Sequence, residues 1–210
     1  MKYKAILFDL DGTLTDPQLG ICQCINYATE IYGVHKPLNE LTKYIGPPLL
    51  NSLAELVGSE NAEAALARYR ERFSTIGLYE NEIYPRVDET LETLKEKGYI
   101  LCTASSKPEI FVRRIMDHFD IAKYFDYIGG ASLDESRGAK SDVIKYVLQQ
   151  INTDNRQVVM VGDTKFDLEG AQKMNMDAIG VTYGFGSKEE LLQYPHIAII
   201  DDISEILKVL

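Results

Sequence analysis

The sequence predicts an α/β protein: a three-layer, parallel-sheet core carrying a helical insertion. Three observations predict it. Continuous apolar runs recur at residues 5–8, 99–104 and 158–161, the pattern of strands covered on both faces. Helical spacing alternates with such runs from Asp88 onward, and repeated strand–helix units imply parallel pairing through right-handed crossovers. Between Leu14 and Ile83 no strand-like run occurs, which leaves a helical insertion of about 65 to 70 residues.

Each element follows from local pattern. Ala5-Ile6-Leu7-Phe8 is the first buried strand, and it ends abruptly in Asp9-Leu10-Asp11-Gly12-Thr13. Asp16-Pro17 reads as a helix start, with Asp as cap and Pro in the first turn; Leu19, Ile21, Cys22, Ile25 and Ala28 then keep helical spacing until Gly33. Further helices are expected over 41–45, 49–57 and 62–75, separated by Gly46-Pro47-Pro48 and Gly58-Ser59. Tyr84-Pro85 returns the chain to the core, and residues 88–97 form a helix stopped by Gly98. The strand at 99–104 ends at Ser105-Ser106-Lys107-Pro108, a helix follows over 109–118, and 124–129 is a short strand. Lys140 opens a helix with Val143, Ile144, Val147 and Leu148 on one face. The strand at 158–161 ends in Gly162-Asp163-Thr164-Lys165-Phe166-Asp167, its helix runs to Met174, and late strands lie at 177–181 and 197–200.

Bulk properties exclude several classes of function. The chain has 210 residues, 45% hydrophobic and 26% charged, ordinary values for a globular protein. A net charge of −10 argues against nucleic acid as the main partner. No apolar run approaches the ~20 residues that span a bilayer, and the stretch after Lys2 and Lys4 is broken too soon by Asp9 to read as a signal peptide. Three cysteines cannot make a disulfide framework, so a reducing, cytoplasmic setting is expected, with Cys22, Cys24 and Cys102 as core thiols. His35, His118 and His196 show no metal-ligand spacing.

Three apolar strands end in polar clusters: Asp9 with Asp11, Ser105 with Ser106 and Lys107, and Asp163 with Asp167. In a parallel sheet these ends share one edge, where ligands bind. Buried carboxylates are costly without partners, but Asp9 and Asp163 together suit a hard divalent cation such as Mg²⁺, while hydroxyls and a lysine suit phosphate oxygens.

These motifs resemble the haloacid dehalogenase-like hydrolase superfamily, and most closely its phosphoglycolate-phosphatase-like branch. Asp9-Leu10-Asp11-Gly12-Thr13 matches the DxDGT motif, Ser105 the second-motif hydroxyl, Lys140 the third-motif lysine, and Gly162-Asp163-Thr164-Lys165-Phe166-Asp167 the GDxxxD motif. The resemblance spans essentially the whole chain. It implies a Rossmann-like core of residues 1–14 and 85–210 and a helical C1-type cap of residues 15–84 inserted between the first two motifs. Asp9 is then the nucleophile that forms an aspartyl-phosphate, and Asp11 the general acid and base. Ser105 and Lys140 hold the phosphoryl group. Mg²⁺ is bound by Asp9, the Asp11 carbonyl and Asp163, with Asp167 supporting that shell. Gly12, Thr13, Ser106 and Lys107 fall on the phosphate side, although Lys107 reads equally as a solvated lysine at a helix start. Gly46, in the Gly46-Pro47-Pro48 break beside Tyr44 and Asn51, resembles a substrate-reading segment of the cap; a rigid turn is the alternative.

An acid at position 11 favours phosphate-ester chemistry over dehalogenation, since a halide leaves without a proton. The expected function is Mg²⁺-dependent hydrolysis of a small phosphorylated metabolite such as phosphoglycolate, a nucleoside monophosphate or a sugar phosphate, by a monomer or homodimer. A β-phosphoglucomutase-type phosphomutase and a pyrophosphatase share the motifs. The non-enzymatic alternative, a binding or regulatory protein on a retired scaffold, sits poorly with the intact acids.

Overall fold

The computed structural model of the chain describes residues 2–46, 48–134 and 136–210. Strand β1 (Ala5–Phe8) is buried at all four positions. The chain turns through Asp9 to Leu14 into β2 (Thr15–Asp16), then forms helices α1 (Gln18–Thr29), α2 (Leu38–Leu41), α3 (Leu49–Val57) and α4 (Ala62–Arg72). After β3 (Glu82–Ile83) and α5 (Val87–Glu96) strands and helices alternate: β4 (Ile100–Pro108), α6 (Glu109–His118), β5 (Tyr127–Ala131), α7 (Lys140–Ile151) and β6 (Val158–Gly162). The sequence closes with α8 (Lys165–Lys173), β7 (Asp177–Val181), α9 (Lys188–Leu191), β8 (Ala198–Ile200) and α10 (Ile206–Val209). The contacts divide this chain into two compact units, one running up to residue 15 and resuming over 83–210, the other comprising 16–82.

In the larger unit six strands form one parallel sheet in the order β5-β4-β1-β6-β7-β8. β1 is central: Ala5 registers with Ile100 on one side and Val158 on the other. One face of the sheet, with Ala5, Leu7, Cys102, Ala104, Val158 and Met160, packs against Val143, Ile144 and Val147 of α7 and Leu168 and Ala171 of α8. Helices α5 and α6 also pack on this sheet, α5 against β4 and α6 against β4 and β5. The α/β architecture with a parallel sheet is thus the one the sequence predicts.

In the smaller unit α1 packs on α3 and α4, burying Cys22, Cys24, Ile25, Leu53, Ala65 and Phe73. The Arg72 guanidinium donates to both carboxylate oxygens of Glu80, at 2.7 and 2.9 Å, and to Gln23 Oε1 at 2.7 Å. That fork ties the end of α4 to α1 and to the following turn. Among the described residues no helix is long and apolar enough to cross a membrane.

Several local expectations shift. The first helix begins at Gln18 rather than at Pro17; Asp16 Oδ1 nevertheless accepts from Gln18 N at 2.9 Å, capping the helix from one residue further out. The segment expected to lack strands contains β2 and β3, which pair with each other; at two residues apiece they are too short to show a period. The helix expected over 41–45 is a turn at 38–41 followed by a tighter turn through Tyr44. The strand expected at 124–129 begins at Tyr127, because Ala122–Tyr124 forms a tight helical turn. β4 continues past Ala104 to Pro108.

Candidate active site

From β1 the chain proceeds to β4 and β5 on one side of the sheet, then crosses to β6, β7 and β8 on the other. The carboxyl end of β1 is therefore the topological switch point, where a parallel sheet opens a crevice. Asp9 occupies it. Its backbone N–H extends the ladder to the Val161 carbonyl at 2.9 Å, and its carboxylate accepts from Leu10 N at 2.8 Å. The turn that follows is tight: Leu14 and Thr15 both donate to the Leu10 carbonyl, at 2.9 and 3.0 Å. Gly12 has φ +82°, and a Cβ there would lie 2.1 Å from Asp163 Oδ2, so both conformation and space demand glycine.

Lys140 reaches this turn from the first residue of α7, where the helix dipole opposes a cation. Carboxylates make the position tenable: Nζ lies 2.9 Å from Asp9 Oδ1 and 2.8 Å from Asp167 Oδ1, and it donates to the Ala104 carbonyl at 3.0 Å. Burial works against the charge, but attraction to Asp167 and Asp9 outweighs it and holds the ammonium above its ordinary range. Asp167 Oδ2 accepts from Thr164 N at 3.0 Å and Thr164 Oγ at 2.8 Å, closing the amino end of α8. Its Oδ1 stands beside Lys140 without a directed hydrogen bond. Burial raises the Asp167 carboxyl, with Lys140 opposing.

Asp163, fully buried at the end of β6, is held differently. Phe185 N–H donates to Oδ2 at 2.8 Å, and Thr13 Oγ makes a long contact to Oδ1 at 3.4 Å. Burial, then repulsion from Asp167 and Asp9, pushes this carboxyl well above the usual range. Asp9, Asp163 and Asp167 each present an oxygen within 4.8 Å of the others.

Asp11 lies beside this nest. Lys107 Nζ donates to its Oδ1 at 2.7 Å, the lysine side chain being 8% exposed and the aspartate 19%. Burial raises the Asp11 carboxyl, with the Lys107 ammonium opposing. The lysine is aimed by the late course of β4: Ser105 registers with Gly130, whereas Ala131 is matched only by Pro108. Ser106 and Lys107 thus form a bulge that turns the strand. The reading of Lys107 as a solvated lysine is corrected by this buried pair.

Four carboxyl groups here face two ammonium groups, an acid-rich nest. The donors are hard oxygens, Asp163 meets no cation among the described residues, and Asp167 Oδ1 lacks a directed donor. This chemistry fits a divalent ion such as Mg²⁺.

The structure brings Asp9, Asp11, Gly12, Thr13, Lys107, Lys140, Asp163 and Asp167 together. Ser105 is buried next to Ala104, and its Oγ accepts from Lys107 N at 3.3 Å; Ser106 is exposed. Gly46 lies in the helical unit at φ +100°, and Pro47 of the same segment falls outside the described residues. Sequence reasoning passes over the loop Thr182-Tyr183-Gly184-Phe185-Gly186, which supplies the N–H to Asp163. A signal was available: two glycines flanking an aromatic directly after an apolar strand.

Sheet, switch point and acid cluster together define a hydrolase of the haloacid dehalogenase-like family, in its phosphoglycolate-phosphatase-like branch; the chain belongs to it, with the family model matching residues 6–181. It is 39% identical to the 5′-nucleotidase of Pseudomonas aeruginosa, covering 100% of this chain and 96% of that protein. It is 37% identical to the tyrosine-protein kinase PtkA of Mycobacterium tuberculosis, over 98% of this chain and 73% of the relative. Among solved structures, a predicted phosphatase from Clostridium acetobutylicum superposes with a TM-score of 0.93 at 40% identity, covering 99% of this chain and 98% of that one. The chain is an enzyme of the phosphatase type.

Proposed function

We propose that this phosphatase hydrolyses a small phosphate monoester with Mg²⁺, through an aspartyl-phosphate on Asp9. The observation that carries the reading is the buried convergence of Asp9, Asp163 and Asp167 around Lys140, with the Asp11–Lys107 pair beside it. Lys140 Nζ, 2.9 Å from Asp9 Oδ1, orients that carboxylate. A carboxylate oxygen of Asp9 attacks phosphorus while the bond to the leaving oxygen breaks, and Asp11 gives that oxygen its proton. Asp11 then takes a proton from the water that attacks the acyl phosphate, releasing phosphate and restoring Asp9. Asp9, Asp163 and the Asp11 carbonyl would hold Mg²⁺, which would supply positive charge against the carboxylates and phosphoryl oxygens. Ser105, Lys140 and the backbone at Gly12 and Thr13 cradle those oxygens; Asp167 fixes Lys140. Ser106, Lys107 and Gly46 belong to the substrate side. The same reading takes residues 15–84 as a C1-type cap that selects the leaving group.

Turnover of para-nitrophenyl phosphate with and without Mg²⁺ is the direct test. Metal-independent hydrolysis, or an undiminished rate in Asp9→Asn, overturns the reading. A panel of nucleoside 5′-monophosphates, phosphoglycolate and sugar phosphates then identifies the substrate. Nucleoside 5′-monophosphates come first, given the name of the Pseudomonas relative.

The likeness to PtkA favours a second reading, transfer of the phosphoryl group to a protein hydroxyl instead of water. Isotope-labelled water separates them, because only hydrolysis places the label in released phosphate. The same measurement identifies a phosphomutase.

A further inference from the structure

The loop after β7 touches two things at once. On one side, Phe185 N–H donates to Asp163 Oδ2 at 2.8 Å. A Cβ on Gly184 would lie 2.3 Å from the Gly12 carbonyl oxygen and 2.4 Å from Asp163 Cβ, and one on Gly186 would lie 2.0 Å from the Asp163 carbonyl oxygen. The loop backbone is therefore pressed flat against Asp163 and the Gly12 turn, with no space for a side chain at either glycine.

On the other side, Tyr183 reaches the chain on either side of the helical insertion. Its hydroxyl donates to the Thr13 carbonyl at 2.9 Å. Its ring meets Tyr84 edge-on, centroids 4.9 Å apart at 63°, and Tyr84 N donates to the Leu14 carbonyl at 3.1 Å. Thr13 and Leu14 directly precede β2, and Tyr84 directly follows β3. The roots of both linker strands thus converge on one side chain, two residues from the N–H that holds Asp163.

An aromatic ring needs no hydroxyl to fill space, and a hydroxyl partly shielded from water, as that of Tyr183 is, needs an acceptor. Here the acceptor is the carbonyl that opens the linker, and the neighbouring backbone is fixed to the carboxylate most in need of a cation. We propose that Tyr183 is a positioning residue that couples the loading of Asp163 with a divalent cation to the setting of the linker roots at Thr13–Thr15 and Ile83–Tyr84. The inference rests on the reading of Asp163 as a cation ligand. A carboxylate that gains a cation redistributes its hydrogen bonding to Phe185 N–H, and the rigid loop passes that change to Tyr183 and so to the Thr13 carbonyl.

Residue-resolved amide hydrogen exchange on the whole protein, with and without Mg²⁺, tests the coupling, and calorimetry measures Mg²⁺ binding independently. In the wild type, Mg²⁺ slows exchange at Leu14, Thr15 and Tyr84. Tyr183→Phe removes only the hydroxyl. It binds Mg²⁺ as the wild type does, yet those amides exchange about three- to tenfold faster in the loaded protein, the scale of one neutral hydrogen bond, and lose their response to Mg²⁺. Tyr84→Leu keeps the hydroxyl bond and removes the ring contact, so it loosens Tyr84 while Leu14 and Thr15 still respond. A Tyr183→Phe protein that binds Mg²⁺ and responds as the wild type overturns the coupling alone. A wild type that binds no Mg²⁺ overturns the cation reading and the coupling with it.

Discussion

Asp9 and Asp11 are separated by one leucine, yet their surroundings push them toward different work. Asp9 is ion-paired to Lys140, whereas Asp11 is raised by burial, with Lys107 the main group opposing. Two neighbouring carboxyls in unlike surroundings are a pattern that separates an acid from a nucleophile. Asp11→Asn is therefore expected to retain Mg²⁺ binding by calorimetry while turnover falls by about 10²-fold or more. Asp163 gives a prediction in pH. Its carboxyl is raised above the unfolded value, so protonation favours the fold: that contribution is full below the unfolded value and is lost as pH rises through the folded one. Once ionised, this acid costs the metal-free protein stability, and below its folded value a cation must displace a proton. The rise in thermal midpoint on adding Mg²⁺ should be larger at about pH 8 than at about pH 5. Equal rises at both values would show that Asp163 does not take part.

Elements set the reach of these residues. The amino end of α8 is closed by Thr164, whose N–H and hydroxyl both go to Asp167 Oδ2. Thr164→Ala should cost about 1 kcal/mol in urea denaturation and weaken Mg²⁺ binding by freeing Asp167 to turn. Unchanged binding would confine Thr164 to capping. The strand ends at Asp9 and Asp163 were legible because continuous apolar runs mark central strands and polar residues break them abruptly, whereas the end expected at Ser105 falls inside β4, which continues to Pro108. Lys140 was legible as a helix start, but its side-chain path across to Asp9 is a matter of tertiary packing. The bulge at Ser106 and Lys107 was not legible: it depends on how β4 meets β5, and nothing local distinguishes a bulge from a loop. Tyr183 was missed for a related reason. Its partners, Thr13 and Tyr84, are distant in sequence, and it carries no charge to draw notice. The two-residue strands β2 and β3 lie below the length at which alternation is detectable.

At the level of the whole molecule, the cysteines report on each unit separately. Cys22 and Cys24 are buried in the helical unit and Cys102 in the sheet. Burial, with Asp16 adding, pushes the Cys22 thiol up to about 11, and burial with Asp126 pushes Cys102 up to about 12. Neither is a ready nucleophile in the folded state, so alkylation requires opening. The helical unit is the smaller and has less core to hold it. Peptide mass spectrometry after iodoacetamide pulses across a urea series should find Cys22 and Cys24 modified at lower urea than Cys102. Coincident midpoints would mean that both units unfold as one cooperative system.

The central place of β1 also has a consequence for biosynthesis. Ala5 needs Ile100 on one flank and Val158 on the other. Such non-local pairing is slow to form, because long loops close before any contact rewards them. On the ribosome, residues 5–8 emerge before β4 and β6 and stay unpaired on both edges until those strands have been made. An apolar strand waiting in that condition is an aggregation hazard and a natural client for a chaperone. Asp9 and Asp163 meet only when β6 docks, so the acid cluster assembles late. A nascent chain halted before Val158 therefore lacks the strand that flanks β1 and, with Asp163 and Asp167, two of the three clustered acids.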